Sequence, residues 1–135
     1  MRRSYPASTG ALALVRSDFD AWLADSGVSD DERELAVLAL AELAANAVEA
    51  SAEADFDVTY VRLSEDLVEL VVMNRSDGAD DLVLPAGPLA DVFAPRGRGL
   101  AIVQQIAESL RLDVTERLAT VTVQLRATRS GTTGG

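Results

Sequence analysis

An α+β fold, with helices lying over a mainly antiparallel sheet, follows from three stretches of this sequence. Residues 34–51, ELAVLALAELAANAVEAS, are dominated by the strong helix formers Ala and Leu. Residues 58–63 and 67–74, VTYVRL and LVELVVMN, are β-rich runs separated only by Ser64, Glu65 and Asp66, which is the pattern of an antiparallel hairpin. Near the C-terminus, TVTVQLR at 120–126 alternates as a strand with one buried face does.

Composition narrows the function. At 135 residues the chain fits one domain with one core, expected over residues 1–127 with a disordered polar tail at 128–135. A hydrophobic fraction of 48% describes a globular chain rather than a disordered one. Cysteine and histidine are both absent. That removes disulfides, thiolate and imidazole metal sites, histidine triads and phosphohistidine chemistry. The net charge of −10 opposes direct binding to nucleic acid or anionic membranes. The N-terminal MRRSYPASTG lacks the apolar run of a signal peptide and no later stretch is long and apolar enough to span a bilayer, so a cytoplasmic location is expected.

Taken in order, residues 1–8 suit a short edge strand or an arm, with Pro6 limiting pairing. Ser8 or Thr9 caps a first helix through about Ser26, in which Leu12, Val15, Phe19, Trp22 and Leu23 recur at helical spacing. Gly27 ends it, and Ser29 or Asp30 starts the central helix. The polar AEADFD leads into the hairpin, whose second run is apolar from Val68 to Met73 as a central strand covered by helices would be. Residues 77–96, with three prolines, two glycines and four aspartates among scattered leucines and valines, read as a loop packed over something else. Arg96-Gly97-Arg98-Gly99-Leu100 then opens an amphipathic helix marked by Leu100, Ile102, Val103, Ile106 and Leu110. Strands at Leu112–Thr115 and Ala119–Arg126 complete the chain.

Two places carry candidate chemistry. In the central helix, spacings of four and three put Glu42, Asn46 and Glu49 on the stripe that Leu35 and Leu38 occupy earlier, so the polar group interrupts what reads as a buried face. Either the last turns simply emerge into water, or a carboxamide one turn from a carboxylate serves a metal-bound polyphosphate, the amide oxygen on the cation and the carboxylate orienting a hydroxyl. The glycine-rich turn before the last helix exposes backbone N–H groups that favour phosphate, although glycines there also serve an ordinary turn.

The order of elements with these two motifs resembles the Bergerat-fold ATP-binding domain of gyrase, MutL and histidine kinases, a two-layer sandwich of a mixed, mainly antiparallel sheet with helices on one face. It looks most like the small bacterial anti-sigma-factor serine/threonine kinases, over about residues 5–127. ELAANAVEAS is similar to the family's N-box, which implies Glu42 as general base and Asn46 as ligand to the Mg²⁺ that bridges the phosphates of ATP. Gly97, Arg98, Gly99 and Leu100 resemble the later glycine box that holds those phosphates. The family's first glycine box, Asp-x-Gly-x-Gly, is represented here by Asn74, Ser76 and Gly78. Asn74 keeps a carbonyl acceptor but loses the charge, and Ser76 adds a Cβ where the chain approaches the base. Thr120 is nearest to the family's base-side threonine.

The resemblance implies an ATP-dependent kinase that acts on an anti-sigma-factor antagonist or sequesters a sigma factor, in a family whose members commonly dimerise. The altered Asn74-x-Ser76 turn points to an alternative: the same fold without catalysis, regulating a protein partner by binding alone.

Overall fold

The computed structural model describes residues 1–6, 8–50, 55–75, 97–115 and 118–129. Five strands form one sheet in the order β1-β2-β3-β5-β4. They are β1 (Arg2–Tyr5), β2 (Phe56–Arg62), β3 (Leu67–Arg75), β4 (Ser109–Thr115) and β5 (Leu118–Arg126). Among the described residues, three helices, α1 (Thr9–Asp25), α2 (Asp30–Ala50) and α3 (Gly97–Ile106), cover one face of it. Every pairing among the described residues is antiparallel. The architecture is therefore the α+β sandwich expected from the sequence.

The helices end where their residues dictate. At the end of α1, Gly27 has φ 77°. Its N–H donates to the Ala24 carbonyl and the Val28 N–H to the Leu23 carbonyl, the paired bonds of a Schellman motif. Ser29 caps α2 by accepting the Glu32 N–H on Oγ, and Asp30, Asp31 and Glu32 place negative charge at the positive end of the helix. Spacing alone would send the Glu32 carboxylate back to the Ser29 backbone as a capping box. It goes instead to the other end of the chain, where Oε1 accepts the Thr128 N–H at 2.6 Å and Oε2 the Thr128 hydroxyl at 3.3 Å.

Thr128 and Arg129, placed in the tail by sequence, are thus held. The Arg129 N–H also donates to the Glu65 carbonyl, and Arg62 Nη1 reaches the carbonyls of Ser64, Glu65 and Ala127. These bonds lock the β2–β3 turn to the end of β5. The rest of the tail, residues 130–135, lies outside the described residues, as does the apolar loop at 77–96. Replacing Glu32 by Ala strands the Thr128 donors in a partly buried place, and a loss of about 1–3 kcal/mol is expected. A lower urea midpoint with an unchanged slope would register it.

The core fills the space between the layers. From α1 come Ala11, Val15, Phe19 and Leu23, and from the sheet Phe56, Val58, Tyr60, Val68, Leu70, Val72, Val123 and Leu125. Phe19 packs against Trp22 and Tyr60 with ring centroids 6.2 and 4.8 Å apart. The first-helix aromatics are core residues, as their spacing suggested. Tyr5 stacks on Phe56 and its hydroxyl donates to Asp18 at 2.7 Å, which ties the edge strand to α1. Burial, reinforced by that bond to a carboxylate, pushes the Tyr5 phenol well above its usual range.

Three expectations change. β2 begins at Phe56, because its fully buried ring needs the pleat that the polar neighbours had obscured. α3 stops at Ile106, and Leu110 lies in β4 opposite Val123. Leu110 fits a helical spacing after Ile106 and also alternates with Leu112 and Val114. The open edge of β5 decides, since the Glu108 N–H already donates to the Gln124 carbonyl. Finally, the burial of α2 is one-sided: Ala36, Ala39, Leu40, Leu43, Ala44 and Ala47 are buried, whereas Leu35 is 51% and Leu38 40% exposed. Glu42 and Asn46, both half-buried, therefore follow a stripe that starts exposed at Leu35 and Leu38 and becomes covered toward the C-terminal end of the helix.

Candidate functional site

The chain path brings the ends of α2 and β3 to one end of the sheet. Asn46 lies about one turn, or ~6 Å, before the end of α2 at Ala50. The chain re-enters the sheet at Phe56, whose cross-strand partner is Asn74, and Asn74 in turn faces Ala119 at the start of β5. α3 packs on α2 and β4. It joins β4 at Ser109, which pairs with Gln124 near the opposite end of β5. Its ten residues span about 15 Å.

The side chains at this end are unusual for a folded domain. Asn74 is only 6% exposed and is the one buried polar residue among the described core positions. Alternation along β3 puts it on the helix-covered face with Val68, Leu70 and Val72. Its Nδ2 is sealed from solvent without a hydrogen-bond partner, and the same holds for Nδ2 of Asn46. A buried amide donor left unpaired costs on the order of 1–3 kcal/mol. Tyr60 Oη and Arg62 Nη2 are likewise unpartnered, but the pairing of two such amides with a nearby carboxylate makes this end the candidate ligand site. Glu42, half-buried, lies one turn from Asn46 on the same stripe of α2.

The expected phosphate-binding residues Gly97, Arg98, Gly99 and Leu100 are the first four of α3. In that position their N–H groups lack acceptors within the helix, the arrangement that favours an anion. The backbone is thus arranged as the glycine-rich pattern suggested, with the glycines inside the first turn. Ser76 and Gly78 lie outside the described residues.

Thr120 is not brought to this site. It pairs with Met73, and alternation points it to the open face of the sheet, away from Asn74 and the helices. Ala119, 5% exposed, occupies the covered position beside Asn74. The signal was present in TVTVQLR: once Val121, Val123 and Leu125 face inward, Thr120 and Thr122 must face outward. What sequence reasoning missed was the complete enclosure of Asn74, because a polar residue ending an apolar strand looks like the start of a wet turn.

These features define a class: a domain of helices layered on an antiparallel sheet, its candidate ligand site at one end, with a carboxylate and a carboxamide one turn apart on the central helix. The family model described as Histidine kinase-like ATPase domain matches residues 5–125, and the chain belongs to that family. Among solved structures it resembles the RsbU and RsbW domains of Rv1364c from Mycobacterium tuberculosis, with a TM-score of 0.71 and 21% identity, over 94% of this chain and 32% of that one. It also resembles the SiaB–SiaC complex from Pseudomonas aeruginosa, with a TM-score of 0.66 and 17% identity, over 93% of this chain and 88% of that one. The chain thus spans about a third of the first of these. At such identities the likeness is one of fold. No curated protein matches the sequence.

An ATPase family implies ATP, ordinarily with Mg²⁺, as the ligand. The residues present fit it. The Asn46 and Asn74 amides lack partners that a nucleotide can supply, and the start of α3 offers N–H groups suited to phosphate. Among the described residues no helix is long and apolar enough to cross a membrane.

Proposed function

We propose that this chain binds Mg·ATP and is a serine/threonine protein kinase that acts on an anti-sigma-factor antagonist, regulating a sigma factor through that partner. The observation that carries the reading is the Glu42–Asn46 pair together with the unpartnered buried amides of Asn46 and Asn74. Folding requires no such pair, and a stability-selected helix would place Ala or Leu there. The solved neighbours containing an RsbW domain and a SiaB–SiaC complex support a protein partner of this kind.

Asn46 would hold Mg²⁺ through its amide oxygen. No group of three acidic, His or Cys side chains forms among the described residues. The cation would take its remaining ligands from phosphate and water, as Mg²⁺ commonly does. The N-terminal N–H groups of α3 would receive the phosphates. Bound ATP supplies a transferable phosphoryl group; Glu42 would orient the acceptor serine hydroxyl and hold its proton on the carboxylate. Positioning and charge neutralisation provide most of the rate in such a transfer. ATP turnover without a protein acceptor would make the chain a simple ATPase. Binding without turnover would favour the non-catalytic regulator, a reading that the loss of the family's acidic residue at Asn74 supports.

Calorimetric titration with ATP, with and without Mg²⁺, tests the reading directly. Saturable, Mg²⁺-dependent binding is expected for the native chain. In Asn46→Ala, affinity should fall by at least about 100-fold, or ~2.7 kcal/mol, with far-UV circular dichroism unchanged. Equal affinity in that variant would remove Asn46 from the site.

A further inference from the structure

We infer that the open face of the sheet is a self-association surface, on which a second copy of this chain packs through the same residues about a two-fold axis lying across the strands, whether or not nucleotide binds. The helices cover the face that carries Val58, Val72 and Val123, and alternation sends Thr59, Val71, Met73, Thr120 and Thr122 to the other. None of these five belongs to the buried core; each is half-buried in the single chain. Toward the β2–β3 turn the same face adds Val61, which is 45% exposed.

Cross-strand register arranges this face in rows. From the β1 edge to the β4 edge, one row runs Ser4, Asp57, Met73, Thr120 and Asp113, and the next runs Arg2, Thr59, Val71, Thr122 and Arg111. Both carboxylates lie in the first row and both guanidinium groups in the second. Two copies placed face to face about an axis between the rows exchange them strand by strand. Arg111 then lies over the partner's Asp113, Asp113 over the partner's Arg111, Arg2 over the partner's Ser4 beside its aspartate, and Val71 over the partner's Met73. Glu69, one row nearer the turn, falls opposite the row of Arg75 and Leu118. An axis along the strands would instead lay β1 over β4 and set Arg2 against Arg111, so charge selects the first arrangement.

The charges at the two edges are already paired within one chain, Arg2 with Asp57 at 2.9 Å and Arg111 with Asp113 at 3.0 Å. The second copy joins each pair to its counterpart in an alternating group of four, so no charge is left alone on closure. To these two rows β3 and β5 contribute only Val71, Met73, Thr120 and Thr122, which pack without burying a charge. The face is also large enough. The nine-residue strands β3 and β5 run for about 30 Å, and five strands at ~4.8 Å spacing span about 19 Å. Such a footprint is on the order of 600 Å² per copy, the lower bound of what a specific interface takes from each partner. Twisted sheets pack face to face in this aligned way, with strand directions within about 30°.

The test is sedimentation velocity of the full chain at about 1–100 μM, beside Arg111→Asp, Asp113→Arg and Val71→Lys. With rising concentration the native chain should move to twice its mass of 14.3 kDa. Each substitution should weaken dimerisation by at least about tenfold, because it sets like charges, or a lysine and a methionine, face to face. Mixing the Arg111→Asp and Asp113→Arg chains restores opposite charges at both β4 contacts, so the mixture should dimerise as the native chain does. A misfolded variant does not give that rescue, and circular dichroism checks the fold of Val71→Lys. A native chain that stays monomeric at about 100 μM overturns the proposal. So does a dimer that none of the three substitutions weakens, which would place the contact on another surface. A mixture as weakly associated as its two components overturns it as well.

Discussion

Glu42→Gln is expected to lower ADP formation from Mg·ATP by at least about 100-fold while leaving the ATP dissociation constant within threefold of native. The substitution keeps size, helix propensity and half-burial, and removes only the ability to hold a proton on the carboxylate. Asn46, one turn later, stays in place to hold the cation. Parallel measurement of turnover and of binding separates the roles of the two residues. A variant that turns over ATP at the native rate would exclude Glu42 as the base. A native chain that binds ATP and forms no ADP, alone or with a serine-containing partner, would favour regulation by binding alone.

The second large effect concerns stability. Phe19 is fully buried, stacked on Trp22 and tilted against Tyr60 at a centroid distance of 4.8 Å. Through Tyr60 it joins α1 to β2, as Trp22 does with its ring centroid 4.8 Å from the same tyrosine. Phe19→Ala should cost about 3–5 kcal/mol through lost burial and the cavity left behind. Domains of this size have on the order of 5–15 kcal/mol in total, so a fall in midpoint of roughly 10–20 °C is expected by thermal circular dichroism. A fall of only a degree or two would show that α1 is not docked through this cluster.

These expectations draw on different levels of legibility. The helices, the β2–β3 hairpin and β5 were readable because each has its own period: four-residue spacing of Val15, Phe19 and Leu23 in α1, and alternation of Val121, Val123 and Leu125 in β5. Schellman geometry at Gly27 and the Ser29 cap were readable because they depend on neighbours within four residues. The Glu42–Asn46 pair was legible for the same reason, since four residues make one turn whatever surrounds the helix. The family likeness of its motif made it a candidate site.

Long-range choices were not local. Whether Leu110 continues α3 or enters β4 depended on the free edge of β5, and whether Glu32 closes a capping box or seizes Thr128 depended on where residue 128 arrives. The mistaken buried stripe on α2 has the same origin: Ala and Leu surround that helix almost evenly, so sequence could not choose which side meets the sheet.

The sequence by itself thus determined the element types, the absence of thiol and imidazole chemistry, and the one-turn pairing of Glu42 with Asn46. Only the tertiary structure decided that Asn74 is enclosed with an unsatisfied amide, that Thr120 faces away, and that α3 packs on α2. Helical and strand periods are properties of a few consecutive backbone units. Enclosure is a property of segments far apart in sequence, fixed only when the chain has packed.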